Sequence, residues 1–257
     1  MAVNHVTTRR EGGITILTLN RPDKLNALNK DIFDDLKSAL DMIQTDASVR
    51  VLVIIGGGKA FSVGADLKER QGMNEKDILL RFEAVRVLYQ RLEYFPLPTI
   101  AAINGTALGG GLELALCCDI RVVSQAATLG FPEVELAIIP GNGGTQRLPR
   151  LIGVSKAMEL ILTAKRLSAD EALGLGIVSH VAPDALVAAR TLAVRMLDMG
   201  PIALKQAKLA VKKGIELPIG DALKFEVDCY KNCLYSKDRT EGLKAFSEKR
   251  RPEYQGE

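Results

Sequence analysis

Two glutamates, Glu113 and Glu133, stand in stretches otherwise strongly apolar. Glu113 follows the glycine run Gly109–Gly111 within TIAAINGTALGGGLELALCCD (99–119), and Glu133 lies in GFPEVELAIIPG (130–141). Glycines let a backbone approach a ligand closely, and the first turn of a helix leaves its N–H groups without intrahelical partners. Such donors, backed by the helix dipole, suit negative charge developing on an oxygen. Gly64-Ala65 is a second junction of this kind. Two such N–H groups could hold a thioester or ester carbonyl and stabilise its enolate. A pair of carboxyls in a partly apolar pocket can differ in pKa, one serving as base and one as acid. With water between them they could add water across a conjugated double bond, or move a proton along the substrate. A plainer alternative stays open: Glu113 favouring its helix N-terminus electrostatically, and Glu133 lying at the surface as Glu135 does.

Alternating strand and helix signals deliver these residues. The region of Val3 and Val6 to Leu17 reads as strand. ITILTL (14–19) is bounded by Gly12-Gly13 and by the turn Asn20-Arg21-Pro22-Asp23. Asn29 caps a helix from Lys30 to about Thr45, with Ile32, Phe33, Leu36, Leu40 and Ile43 on one face. Val49–Ile55 is a buried strand closed by Gly56–Gly58, and residues 79–94 form a second amphipathic helix stopped by Phe95-Pro96-Leu97-Pro98. Strands follow at 99–103 and 120–123, and an approach segment runs from 128 to 139 into the turn Pro140–Gly144. The glycines at 56–58 do not form a phosphate loop, and PGNGG (140–144) lacks the last glycine of a dinucleotide fingerprint. From residue 155 onward helices dominate, at 155–165, 168–174, 184–199, 201–213, 219–235 and 239–250. Ser168–Glu171 is a capped start, and 177–181 is the last short strand. The class is α/β, a mixed core followed by a helical C-terminal third. No sequence repeat of solenoid length is visible.

Composition narrows the function classes. The 257 residues are 47% apolar, enough for a sizeable core, and 34 basic against 31 acidic residues leave a net charge of +3. That balance gives no electrostatic footprint for nucleic acid. No apolar run reaches the ~18 residues of a membrane span, and MAVNHVTTRREGG has no apolar signal core. Cys117, Cys118, Cys229 and Cys233 lack metal-ligand spacing with the two histidines, His5 and His180. They read as buried small hydrophobes in a reduced, cytoplasmic setting, and no metal is expected. His180, at a strand end, reads as structural.

Nearly the whole chain, from about Thr15 to Arg250, resembles the enoyl-CoA hydratase/isomerase (crotonase) superfamily. The likeness is carried by LNRPDKLNAL (19–28), KAFSVGADLKE (59–69), PTIAAINGTALGGGLELALCCD (98–119), FPEVELAIIPGNGGTQRLPRLIG (131–153) and EGLKAFSEKR (241–250). The resemblance implies a crotonase-like spiral of ββα units over residues 1–195, with a helical oligomerisation region over 196–257 that builds homotrimers or homohexamers. By motif position, the N–H groups of Ala65 and Gly110 would form an oxyanion hole for an acyl-CoA thioester. Ala65, Asp66, Leu67 and Lys68 would line the CoA path, with Lys24 and Ala27 bordering it. Tyr230 and Lys249 would close it from the C-terminal helices. Coenzyme A is then part of the substrate and no separate cofactor is implied.

Glu113 and Glu133 match both hydratase glutamates of the family, the first activating water toward Cβ and the second protonating Cα. The implied activity is reversible hydration of a 2-enoyl-CoA in fatty-acid or branched-chain amino-acid breakdown. The motifs GADLKER, TALGGGLELAL and LAIIPG look most like the branch that hydrates 3-methylglutaconyl-CoA. A Δ3,Δ2-enoyl-CoA isomerase is the nearest rival. RNA binding, known in that branch through spaced lysines, would use Lys30, Asp34 and Ser38 here, a poor match to phosphate.

Overall fold

The computed structural model describes residues 4–257, so Val3 lies outside the described residues. Strands β1 (Val6–Glu11) and β2 (Ile14–Leu19) form an antiparallel hairpin, followed by helix α1 (Lys30–Thr45). Then come β3 (Val51–Gly56), β4 (Ala60–Ser62), α2 (Leu67–Gln71) and α3 (Glu75–Glu93). The chain continues through β5 (Thr99–Ile103), β6 (Thr106–Leu108), α4 (Gly110–Cys117), β7 (Ile120–Ser124) and β8 (Thr128–Gly130). Helices α5 (Gly144–Ile152) and α6 (Val154–Leu162), strand β9 (Arg166–Ser168), helix α7 (Ala169–Gly174) and strand β10 (His180–Ala182) complete the core. Helices α8 (Ala185–Leu197), α9 (Pro201–Gly214), α10 (Ile219–Leu234) and α11 (Lys237–Ser247) follow.

Strand pairs build the architecture. The six-stranded sheet has the order β1-β2-β3-β5-β7-β10, and a four-stranded sheet has the order β4-β6-β8-β9. Each of the pairs β3/β4, β5/β6 and β7/β8 gives its first strand to one sheet and its second to the other, and corresponding strands of successive pairs run parallel. This is a structural repeat that the residues do not show as sequence identity. Asn104 joins neighbouring turns of the repeat: its Oδ1 accepts from Gly56 N–H at 3.1 Å and its Nδ2 donates to Gly58 C=O at 2.9 Å.

Period-two alternation decides which face each strand residue meets. Ile14, Ile16, Val51, Val53, Ile100 and Ala102 turn toward Ala185, Ala189 and Ala193 of α8, whose small side chains bring the helix close to the sheet. Leu17, Leu19, Leu52 and Ile54 face the main core with the buried stripe of α1. Asn29 caps α1, its side chain accepting from Ile32 N–H. The capping box of Ser168 and Glu171 is also formed.

Several boundaries differ from the sequence expectation. Helix α3 starts a turn earlier, where Asn74 supplies its cap. Helix α6 stops at Leu162 rather than 165, because Ala164 takes a left-handed conformation before β9. Residues 128–139 split into β8 and a 3₁₀ turn at Glu133–Leu136. The final strand starts at His180, leaving Ile177 and Val178 as buried non-strand residues. The boundary expected at 195/196 falls inside α8. Cys117, Cys118 and Cys229 are buried as expected, whereas Cys233, one turn on from Cys229 near the end of α10, is only partly covered.

The segment 19–28 is anchored by Asn26, which is fully buried. Its Nδ2 donates to the carbonyls of Gly57 and Ala60, and its Oδ1 accepts from Arg21 N–H. Asn26→Ala strands these partners in a dry interior. The expected cost is about 2–5 kcal/mol, read as a lower midpoint at unchanged slope in a urea titration.

Candidate active site

Gly109 is the pivot of the site. The strand β6 ends against it, α4 begins after it, and its N–H donates to Gly130 C=O at 2.9 Å, joining the end of β8 to the start of α4. Its carbonyl accepts from Glu113 N–H, also at 2.9 Å. Gly109 adopts φ 51°, and a Cβ there would stand 2.7 Å from Glu133 Oε1. Only glycine leaves room for the Glu133 carboxyl to lie over this turn. One backbone position therefore seats both glutamates.

Glu113 and Glu133 line a single cleft of about 540 Å³ with Gly64, Ala65, Gly110 and Asn142. Glu113, 1% exposed, accepts from Gly144 N–H at 2.8 Å through Oε1. Burial raises its pKa, opposed by Gly144 N–H and by the backbone and side-chain amides of Asn142, which favour the ionised form. Glu133 has less help. Its Oε2 is buried without a hydrogen-bond partner. Burial first, and then the charge of Glu113, push its pKa up from an ordinary 4.5 to about 7, against relief from its own backbone N–H and from Arg70. Both carboxyls are thus pushed up by burial, but Glu113 keeps several donors that favour its ionised form, whereas Glu133 keeps little beyond its own backbone N–H.

The backbone groups expected to bind an oxygen lie beside them. Among the described residues neither Ala65 N–H nor Gly110 N–H donates to a protein acceptor. The two segments touch, since a Cβ on Gly110 would be 3.7 Å from Ala65 N. Gly110 is the first residue of α4, where an unpaired N–H is intrinsic to the helix. Tyr89, fully buried, donates its hydroxyl to Gly110 C=O at 2.8 Å and pins that turn from behind. An oxygen held by these N–H groups would lie in the same cleft as the two carboxyls.

The other expected site residues are placed more diversely. Leu67 lines the cleft. Asp66 caps α2 and pairs with Arg21 at 3.0 Å. Lys24 is exposed in the 3₁₀ turn Pro22–Lys24, Ala27 C=O accepts from Arg21 at 2.7 Å, and Lys68 is exposed on α2. Tyr230 is exposed on α10, and Lys249 follows α11 with φ 54°. None of these six lines the cleft.

Asn142 and Gly144 escaped the sequence reading. The PGNGG group was weighed there only as a nucleotide fingerprint, yet its N–H groups point at Glu113. Arg147 braces this turn, donating to Asn142 C=O at 2.8 Å and pairing with Glu93 at 2.6 Å. The isolated, polar composition of that turn between two apolar segments was the available signal.

A core of stacked strand pairs, with two buried carboxyls beside free backbone donors, is an arrangement suited to acid–base chemistry next to a carbonyl. The chain belongs to the enoyl-CoA hydratase/isomerase family, whose model matches residues 9–257. It is 42% identical over 255 residues to the enoyl-CoA isomerase/hydratase fer4 of Mycosarcoma maydis, covering 95% of this chain and 93% of that protein. It is 44% identical over 264 residues to the mitochondrial methylglutaconyl-CoA hydratase of Mus musculus, covering 100% of this chain and 84% of that one. The crystal structure of an enoyl-CoA hydratase from Bacillus anthracis superposes with a TM-score of 0.96 at 44% identity, over 98% of this chain and 100% of that one. The fold is accordingly crotonase-like, with its helical C-terminal region.

Proposed function

We propose that this protein is a 2-enoyl-CoA hydratase, adding water reversibly across the 2,3-double bond of a thioester. The carrying observation is the placement of two differently tuned carboxyls in one cleft with two unpaired backbone donors. The thioester oxygen accepts from Ala65 and Gly110 N–H, which stabilise the enolate as charge moves onto it. Glu113, whose ionised form Gly144 and Asn142 favour, takes a proton from the water attacking Cβ, and Glu133 gives its proton to Cα. Lys24, Ala27, Asp66, Leu67, Lys68, Tyr230 and Lys249 are proposed for the CoA portion. Those not on the cleft wall would act at its outer rim or from a neighbouring subunit. Exposed apolar residues on α9–α10, including Val211, Ile215 and Ile219, support assembly as a trimer or hexamer. Among the described residues no helix is long and apolar enough to cross a membrane. A cytoplasmic setting belongs to this reading and rests on the four free thiols.

The test is loss of conjugated-enoyl absorbance with crotonyl-CoA and 3-methylglutaconyl-CoA. Turnover of either is expected, and inertness toward both sinks the hydratase reading. Turnover of a 3-enoyl-CoA alone would favour the isomerase instead, which needs one proton-shuttling carboxylate. RNA binding has no support from the expected face: Lys30 is ion-paired with Asp34, and Ser38 donates to the Asp34 carbonyl at 2.9 Å.

The pH profile is a further expectation. The working dyad holds one proton: an ionised Glu113 and protonated Glu133 on the enoyl side become the reverse on the hydroxy side. Hydration releases no net proton, so kcat/KM in both directions must follow the same one-proton population. Both should fall as pH rises through about 7, where Glu133 loses its proton. Initial rates for hydration and dehydration between pH 5 and 9 check this. A flat profile across neutrality in either direction would remove Glu133 from the acid role.

A further inference from the structure

The turn that carries the Glu113 donors is gripped by helix α3 at two points. Glu93, the last residue of α3, accepts at Oε2 from both Nε and Nη2 of Arg147, at 3.1 and 2.6 Å. Arg147 Nη1 in turn donates to Asn142 C=O at 2.8 Å. Phe82, earlier on α3, lies against Gly141, where an added Cβ would meet its ring at 2.5 Å. Gly143 has φ +107°, and a Cβ on it would collide with Arg147 Nη1. The guanidinium occupies the space that another residue's side chain would fill.

One side chain thus spans a carboxylate on α3, the carbonyl of Asn142 and the open side of Gly143. That requires a fork of fixed geometry, with separate donors aimed at two acceptors. Arg147 and Glu93 have side-chain exposures of only 16% and 23%, so solvent and salt screen the pair weakly. The next residue along the turn is Gly144, whose N–H reaches Glu113 Oε1.

We infer that Arg147, anchored by Glu93, is a positioning residue for Glu113, fixing the turn so that the amides of Asn142 and Gly144 stay on that carboxyl. Its effect on turnover rests on the hydratase reading, whereas its effect on the carboxyl can be measured without substrate. The charged and titratable groups facing Glu113 are Arg147 from α5, Tyr89 from α3, Cys117 from its own helix and Glu133 from the 3₁₀ turn. Burial holds Tyr89 and Cys117 well above their ordinary values, so neither titrates near neutrality. Arg147 is the cation of this set, and removing it takes away both the anchor of the turn and a favourable charge.

Arg147→Gln, Arg147→Lys and a control, Arg91→Gln, would be compared with wild type. Arg91 also lies on α3 but pairs with Asp41 of α1 and stands outside the cleft lining. Three quantities would be followed: kcat/KM against pH with crotonyl-CoA, butyryl-CoA affinity by calorimetry, and the infrared titration of the Glu113 carboxylate. The last is assigned by the band that Glu113→Gln lacks. Arg147→Gln should lower kcat by about 10²-fold at unchanged butyryl-CoA affinity. Its Glu113 titration and the acid limb of kcat/KM should both move to higher pH by about one unit, because lost donors and a lost cation disfavour the carboxylate. Arg147→Lys, which keeps the charge but not the fork, should recover part of each. Arg91→Gln should match wild type throughout.

An Arg147→Gln protein that melts lower yet keeps the wild-type titration and acid limb overturns the assignment and leaves Arg147 structural only. Equal movement of both in Arg91→Gln overturns it as well. Should Arg147→Gln fail to fold, Arg147→Lys decides alone, and wild-type kcat and titration in it would overturn the assignment. An upward-shifted titration in a protein whose wild type turns over no enoyl thioester would instead overturn the hydratase reading and keep Arg147 as the residue that positions Glu113.

Discussion

Glu133→Gln and Glu113→Gln should each lower kcat by about 10²- to 10⁴-fold with little change in affinity for the thioester, since each removes one proton-transfer group and leaves the backbone donors in place. The double variant should be scarcely worse than either single one, because the two carboxyls handle one water and one proton as a unit. The folds should survive for different reasons. A glutamine at 113 can still accept Gly144 N–H through its amide oxygen. At 133 the change removes a carboxyl whose Oε2 has no partner.

The stability signs follow from that last point. Burial raises the Glu133 pKa from 4.5 to about 7, so the folded protein binds this proton more tightly than the unfolded chain does. Its stabilising contribution is fully present below about 4.5 and is lost as pH rises through about 7. Glu133→Gln should therefore melt higher than wild type at pH 8 and lose that advantage by pH 5. A variant that is inactive and also unstable at pH 8 would mean that Glu133 supports the fold rather than the reaction. Full activity in either single variant would remove that residue from the mechanism.

How legible this site was in the residues depended on the length of the segments carrying it. Helix α1 is long enough for its period to show, and its buried face fell where the 3.6 repeat put it, while β2 was readable as a β-rich run between turns and is buried along nearly its whole length. Strands β4, β6 and β8 are three residues each, too short for any period to register, so the distribution of strand pairs over two sheets stayed hidden. Helix α5 begins in a glycine-rich turn and contains Pro149, residues that argue against helix by propensity alone. Tertiary packing overrides that preference, burying Gly144 and Leu148. The glutamates and the glycine junctions could be named from their odd company in apolar stretches. Their tuning could not, because it comes from Gly144 and Asn142 on one side and from a missing partner on the other.

Gly64→Ala should lower turnover strongly although it touches no reacting group. Gly64 has φ +88°, and a Cβ there would lie 2.9 Å from Leu108 C=O and 3.0 Å from Gly110 N. Those neighbours are backbone atoms of the turn that carries one donor, while the residue after Gly64 carries the other. The added methyl cannot be absorbed by a rotating side chain, so the two segments must separate and the gap between Ala65 N–H and Gly110 N–H must widen. Gly64 cannot simply retreat, since its carbonyl accepts from Leu28 N–H at 2.8 Å and its N–H donates to Ser62 Oγ at 3.2 Å. Losing alignment at one oxyanion donor costs about 10²- to 10³-fold in rate, and that loss is expected in kcat. Left-handed strain on alanine, roughly 1–2 kcal/mol, should appear as lower stability. Gly12→Ala separates the two effects: Gly12 has φ +58° with nothing within 4 Å of an added Cβ, on the β1–β2 hairpin away from the cleft. It should lose comparable stability and keep full turnover. If Gly64→Ala also kept its turnover, the two N–H groups would not be holding the substrate oxygen, and the enolate would need another partner in the cleft.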